Sequence, residues 1–171
     1  MRLTYIPAID DHAAWSPDGR RIAFTSERGS GQSELFVMNA DGSNVVREAL
    51  PPHCSRRPVG TFTHRGHRRA GSSRWSPNGA QFATTISQKV GNEYVTHIGV
   101  MDSDGTDLTP LIEAATWSKS SWSPDGTVIL FTSGTVGAFD VSWVKIDGSA
   151  SGPIITNGWN GAWQPCGAFN R

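Results

Sequence analysis

"WSPDG" occupies Trp15–Gly19, "WSPNG" occupies Trp75–Gly79, and "WSPDG" returns at Trp122–Gly126. An altered copy, "WQPCG", stands at Trp163–Gly167. Chemically the phrase is a turn with an anchor in front of it. Pro17, Pro77 and Pro124 fix φ for the second position of a type I turn, and Asp or Asn suits the third. Gly19, Gly79 and Gly126 suit the fourth, and the serine can bond back to the backbone. The preceding tryptophan is a large apolar group, expected to lie between neighbouring sheets. Trp15, Trp75, Trp122 and Trp163 are therefore expected at equivalent positions of one repeat.

Each turn is followed by a strand-like run: "RRIAFTSE" from Arg20, "AQFATTIS" from Ala80 and "TVILFTSG" from Thr127. A second run comes next, "SELFVMNA" from Ser33, "EYVTHIGVMDS" from Glu93 and "FDVSWVKI" from Phe139, each leading into Asp-Gly. Asp41-Gly42, Asp104-Gly105 and Asp147-Gly148 predict hairpins in which both central residues take positive φ. A third short run leads towards the next tryptophan: "NVVREAL", "TDLTPLI" or "GPIIT". With the strand that carries the tryptophan, each repeat is a four-stranded meander. The tryptophans are 60, 47 and 41 residues apart, and the shorter spacings match the ~40–45 residues of a four-stranded propeller blade. One meander cannot bury both faces of its sheet, whereas stacked copies can.

Composition agrees. The chain has 171 residues, enough for one domain with a real core. Hydrophobic residues make up 37% and charged residues 18%, and 19 Gly and 10 Pro supply many turns. No apolar run approaches the ~20 residues of a membrane span, and the N-terminus lacks the apolar core of a signal peptide. As written, the chain reads as cytoplasmic. The net charge of zero conceals an asymmetry. No acid lies between Glu48 and Glu93, where seven of the 15 basic residues fall, so the remainder carries 8 basic and 15 acidic residues, a net of −7.

The stretch "AAWSPDGRRIAFTSERGSGQSELFVMNADGSN", Ala13–Asn44, resembles the WD-repeat-like β-propeller repeats of TolB-type proteins. Trp122–Ser149 follows the same pattern well and Trp75–Thr106 more loosely. "RLT" at Arg2–Thr4 is similar to the end of a preceding repeat, and "WQP" at Trp163–Pro165 to the closing phrase of such propellers. The resemblance implies an all-β fold, a β-propeller segment of three to four four-stranded antiparallel blades. It implies one domain over residues 1–171 that is an incomplete propeller, with repeats starting near 13, 73 and 120 and a remnant from 161. It also implies a non-catalytic module that binds a protein partner, since TolB-type proteins are periplasmic binding proteins. A fragment of such a protein would belong in the periplasm or outside the cell. The alternative is the propeller portion of a larger enzyme, a prolyl-oligopeptidase-type peptidase or a polysaccharide lyase, with its catalytic residues outside this chain.

Two features break the pattern. Three repeats and a remnant are fewer than the ~4–8 blades of closed propellers. A truncated longer propeller, copies of the chain completing a ring, and an open stack with exposed strand edges all fit. Second, Asp41 and Trp75 are 34 residues apart, against 18 and 16 for the corresponding pairs later in the chain. The surplus, residues 51–71, is rich in Arg, Pro, Gly and His and reads as a basic loop insertion. As a third alternative, Arg56, Arg57, Arg65, Arg68 and Arg69 could hold an anion or nucleic acid there. An insertion without a partner and a stretch in an altered reading frame also fit. Nucleic acid is not the expected partner.

No catalytic signature is present: no Gly-x-Ser-x-Gly elbow, no phosphate-binding loop and no dinucleotide fingerprint. No cofactor and no metal is expected. His53, Cys54, His64 and His67 lie close in sequence but lack the paired spacing of a zinc site. "DSDGTD" at Asp102–Asp107, with Glu113 twelfth from Asp102, has its glycine at position 4 rather than 6, so the hairpin reading prevails over calcium. Cys54 and Cys166 make no disulfide framework. Trp143, in a strand, is expected in the core, while Trp117 and Trp159 read as loop residues.

Overall fold

A computed structural model describes residues 3–28, 31–47, 68–90, 92–115, 118–135, 137–158 and 161–163. Among them there is no helix. Three four-stranded antiparallel sheets follow one another along the chain. The first contains β1 (Asp10–Trp15), β2 (Arg21–Ser26), β3 (Glu34–Asn39) and β4 (Val46–Arg47). The second contains β5 (Arg68–Trp75), β6 (Gln81–Val90), β7 (Glu93–Asp102) and β8 (Thr109–Ala114). The third contains β9 (Ser121–Trp122), β10 (Val128–Thr135), β11 (Ala138–Lys145) and β12 (Ser151–Ile155). Each sheet is a meander in sequence order, as the repeat requires.

The Ser-Pro-Asp/Asn-Gly turns form as their residues dictate. The amide of Gly19 donates to the Ser16 carbonyl at 2.9 Å, and Gly79 and Gly126 repeat this bond to Ser76 and Ser123. The three glycines sit at φ 68°, 70° and 72°, a left-handed conformation that glycine adopts without a Cβ penalty. Each serine hydroxyl donates to the side chain two residues on, Asp18 at 2.6 Å, Asn78 at 2.7 Å and Asp125 at 2.6 Å. It also accepts the amide that opens the next strand, Arg21, Gln81 or Val128.

The Asp-Gly turns differ from the expected form. Gly42, Gly105 and Gly148 take positive φ, but Asp41, Asp104 and Asp147 do not. The glycine amide closes onto the residue three back, Asn39, Asp102 or Lys145, at 2.9 Å. This is a type I turn followed by a left-handed glycine. The reason is local: each aspartate oxygen accepts the amide two residues on, at 2.8 Å (Ser43), 3.0 Å (Thr106) and 2.9 Å (Ser149). That Asx bond holds the aspartate in the right-handed region.

The core lies between the sheets. Ala23, Leu35 and Val37 of the first sheet meet Trp75, Phe82, Ile86, Met101 and Leu108 of the second. Ala83, Ile98, Val100 and Leu111 of the second meet Trp122, Ile129, Phe131 and Val144 of the third. Both interfaces use the same register. Trp75, Phe82 and Met101 lie in line across β5, β6 and β7, and Trp122, Ile129 and Val144 do so across β9, β10 and β11; Trp15, Ile22 and Met38 occupy the matching line in the first sheet. Facing no earlier sheet, Ile22, Phe24, Phe36 and Met38 form a separate cluster with Leu3. The Arg28 guanidinium lies 4.9 Å and 5.2 Å from the Phe24 and Phe36 rings and is held by Asp10 at 2.9 Å.

Residues 68–71, expected to close the basic insertion, belong to β5: Arg68 pairs with Gln88 and Arg69 with Ser87. Strand pairing with β6 extends β5 past the point where periodicity in the sequence fades. Arg56, Arg57, Arg65, His53, Cys54, His64, His67, Trp117, Trp159 and Cys166 lie outside the described residues.

Candidate interaction surfaces

The repeated tryptophans tie each blade to the one before it. The Trp75 indole donates to the Ala14 carbonyl at 3.2 Å, and the Trp122 indole to the Arg74 carbonyl at 3.0 Å. Each acceptor is the residue before the preceding tryptophan. The Arg21 guanidinium covers the Trp75 ring at 4.5 Å, and Phe82 meets that ring at 4.1 Å. The glycines add a second contact. A Cβ on Gly79 would lie 3.6 Å from Pro17 Cδ, and one on Gly126 3.6 Å from Pro77 Cδ. Consecutive turns thus stack glycine on proline, so the five-residue phrase writes both halves of an interface between blades.

The four tryptophans differ in exposure: 7% for Trp75 and 8% for Trp122, but 58% for Trp15 and 36% for Trp163. Trp15 stands at the leading edge of the first blade, and among the described residues no further sheet lies over it. The Trp163 amide donates to Ser121 Oγ at 3.3 Å, which places the remnant of the fourth repeat against the third blade. Trp143, expected in the core, is half-buried. Its register partner is Leu130, the pair corresponding to Ala23–Val37 and Ala83–Val100, so it faces outward from the third blade.

A second surface follows from the topology. In a meander the first and third turns fall on the same rim. Backbone bonds from Ala40 to Arg20, Ser103 to Ala80 and Ile146 to Thr127 join those turns in each blade. Asp18, Asp41, Asp104, Asp125 and Asp147 therefore share one rim, all fully exposed. Hydrogen bonds from the hydroxyls of Ser16, Ser43, Thr106, Ser123 and Ser149 hold these carboxyls below their ordinary pKa, and they are charged at neutral pH. Between the second and third blades the rim opens into a cleft of about 350 Å³, lined by Gln81, Asp102, Asp107, Thr109 and Asp147 among others. Asp107 holds the left-handed φ of 53° there. Sequence reasoning read all five, Asp18 and Asp125 in the proline turns and Asp41, Asp104 and Asp147 before glycine, only as turn residues. The alternation of turns along a meander was the available signal that all five share a rim. The basic segment joins the opposite side: Arg47 pairs with Phe36 and Arg68 with Gln88, both on the far half of their sheets.

Among the described residues no group of three or more His, Cys, Asp or Glu side chains is placed to hold a metal ion, and no helix is long and apolar enough to cross a membrane.

A family model described as the TolB beta propeller domain matches residues 1–167. The chain is 29% identical over 73 residues to the uncharacterized peptidase YuxL of Bacillus subtilis, a match that covers 43% of this chain and 9% of that protein. In fold it is similar to TolB from Acinetobacter baumannii, with a TM-score of 0.70 and 19% identity over 94% of this chain and 35% of that one. It is similar as well to the β-propeller domain of the Trilobed protease from Pyrococcus furiosus, described as an open velcro topology. There the TM-score is 0.56 and the identity 13%, over 86% of this chain and 43% of that one. The chain thus matches less than half the length of each of these three proteins.

Proposed function

The chain belongs to the TolB β-propeller family, and we propose that it is a non-catalytic interaction module whose acidic rim receives a basic protein partner. The observation that carries this reading is the array of five exposed aspartates, each fixed by a turn and charged at neutral pH. Charges on a rigid scaffold bind with little ordering cost and steer a partner of opposite sign. The cleft beside Asp102, Asp107 and Asp147 gives a partner's Arg or Lys side chain a place to enter. The TolB resemblance implies a periplasmic setting for such a module.

The repeat itself supplies the test. Asn78 replaces aspartate in the second turn and keeps the same bonds, accepting from Ser76 Oγ and from the Ala80 amide at 3.0 Å. Asp18→Asn, Asp41→Asn, Asp104→Asn, Asp125→Asn and Asp147→Asn combined in one variant remove charge and keep the turns. Immobilised protein is presented with a lysine- and arginine-rich peptide across a salt series. The wild-type chain should bind with an affinity that falls as salt rises, and the variant should lose that binding. Equal binding by both proteins would refute the rim as the site.

A second reading rests on the likeness to YuxL and to the propeller of the Trilobed protease. In it the propeller stands beside a peptidase domain carried on other sequence. A gene whose reading frame continues into an α/β-hydrolase segment would favour it over the first.

A further inference from the structure

The positions that line the cleft between the second and third blades also occur between the first and second, with different residues. Register sets Gln81 opposite Asp102 in the second blade and Arg21 opposite Asn39 in the first. Asp107 and Asn44 each stand three residues after the aspartate of an Asp-Gly turn, at φ 53° and 52°. Asp147 of the third blade corresponds to Asp104 of the second, each bonded to the amide two residues on. Between the first and second blades these positions read Arg, Asn, Asn and Asp, one cation and one carboxylate. Between the second and third they read Gln, Asp, Asp and Asp, three carboxylates and no cation.

In the first pair of blades the cation is placed: the Arg21 guanidinium lies 4.5 Å from the centre of the Trp75 ring. In the second pair Gln81 stands at that position and donates to Asp102 Oδ1 at 3.2 Å. Among the described residues none of Asp102, Asp107 and Asp147 is in a salt bridge. Lys145 helps to hold the Asp147 carboxyl below its ordinary pKa but does not line the cleft. We infer that this cleft is a receptor for an arginine side chain of the basic partner, which brings from outside the guanidinium that Arg21 supplies within the first pair of blades. The inference rests on the acidic rim as the docking face and names the side chain that enters it.

The walls suit that side chain along its length. Val100 and Ile146 offer apolar surface to an alkyl stem, and the carboxylates stand where its charged head would end. They come from three places: the end of β7, the turn after it, and the next blade. A guanidinium presents five N–H donors in a planar fork and is more weakly hydrated than an ammonium, so it can address separate carboxylates at a smaller desolvation cost. The three aspartates are not placed to share one metal ion, and a small ion would leave the apolar walls uncovered.

The test is fluorescence anisotropy on the full chain with labelled oligoarginine and oligolysine peptides of equal length at one fixed salt concentration. The wild-type chain should bind the arginine peptide roughly tenfold more tightly than the lysine peptide. Asp102→Asn combined with Asp107→Asn writes the residues of the first pair of blades into the second, and asparagine accepts the left-handed φ at position 107 as Asn44 does. This double variant should lose the preference for arginine and keep the binding that both peptides share along the rim. Gln81→Arg supplies the guanidinium from within the chain and should lower binding of the arginine peptide to the level of the lysine peptide. Thermal melts establish that each variant folds. Equal binding of the two peptides by the wild-type chain, or a preference that survives the double variant or Gln81→Arg, overturns the inference and leaves the rim as docking face standing. Failure of the rim itself looks different: the variant with five aspartates replaced then binds both peptides as the wild-type chain does. If neither peptide binds the wild-type chain, both readings fall.

Discussion

Trp75 and Trp15 occupy the same place in the repeat, yet one is 7% exposed and the other 58%. Trp75 has a blade beneath it, an acceptor at 3.2 Å, an arginine over one face and Phe82 beside it. Trp15 has the same flanking turn and the same strand pairing, through Ile22, but among the described residues no sheet on its other side. The comparison shows that the motif does not bury its own tryptophan. It builds a half-interface, and burial comes from the neighbour.

The sharpest way to break the comparison is to truncate both side chains. Trp75→Ala should cost about 3–5 kcal/mol in denaturant unfolding, because it empties a filled site between two sheets and orphans the Ala14 carbonyl. Trp15→Ala should cost less than about 1 kcal/mol. Equal losses would mean that the first blade buries Trp15 in solution.

The glycines give a smaller effect and an opposite pattern. Gly79 and Gly126 meet a proline only at ordinary van der Waals distance, and all three turn glycines hold nearly the same positive φ. Replacement by alanine should therefore cost about 1 kcal/mol at Gly19, Gly79 and Gly126 alike. If Gly19→Ala were much milder than Gly79→Ala, the contact between blades would outweigh backbone strain.

The smallest effect concerns the middle blade alone. Burial pushes the His97 pKa below its ordinary value of 6.5, and Glu113, opposite it on β8, partly offsets this. The folded state then binds fewer protons than the unfolded state, so stability contributed at higher pH is lost as pH falls through 6.5 and levels off below the folded pKa. His97→Gln should flatten that part of the stability–pH curve in urea titrations. An unchanged slope would assign the pH dependence to other groups.

Much of the architecture was legible because its rules are local. Pro17 and Gly19 dictate a turn, period-two runs dictate strands, and recurrence dictates stacking. The Asp-Gly turns were misread because the same aspartate can enter a two-residue hairpin or cap its own turn. The Asx bond to Ser43, Thr106 or Ser149 selects the second form. The extent of β5 was hidden for a different reason. Arg68 and Arg69 have no strand pattern of their own and become strand by pairing with β6.

By itself the sequence determined the unit: a four-stranded meander, opened by a tryptophan and a proline–glycine turn, repeated three times. Those features depend on φ preferences and side-chain alternation within a few residues. The tertiary structure alone decided which tryptophans are covered, which carbonyls receive their indoles, and that five aspartates far apart in the chain share one rim. Burial and proximity belong to the neighbouring sheet, and no stretch of one repeat encodes whether that neighbour is present.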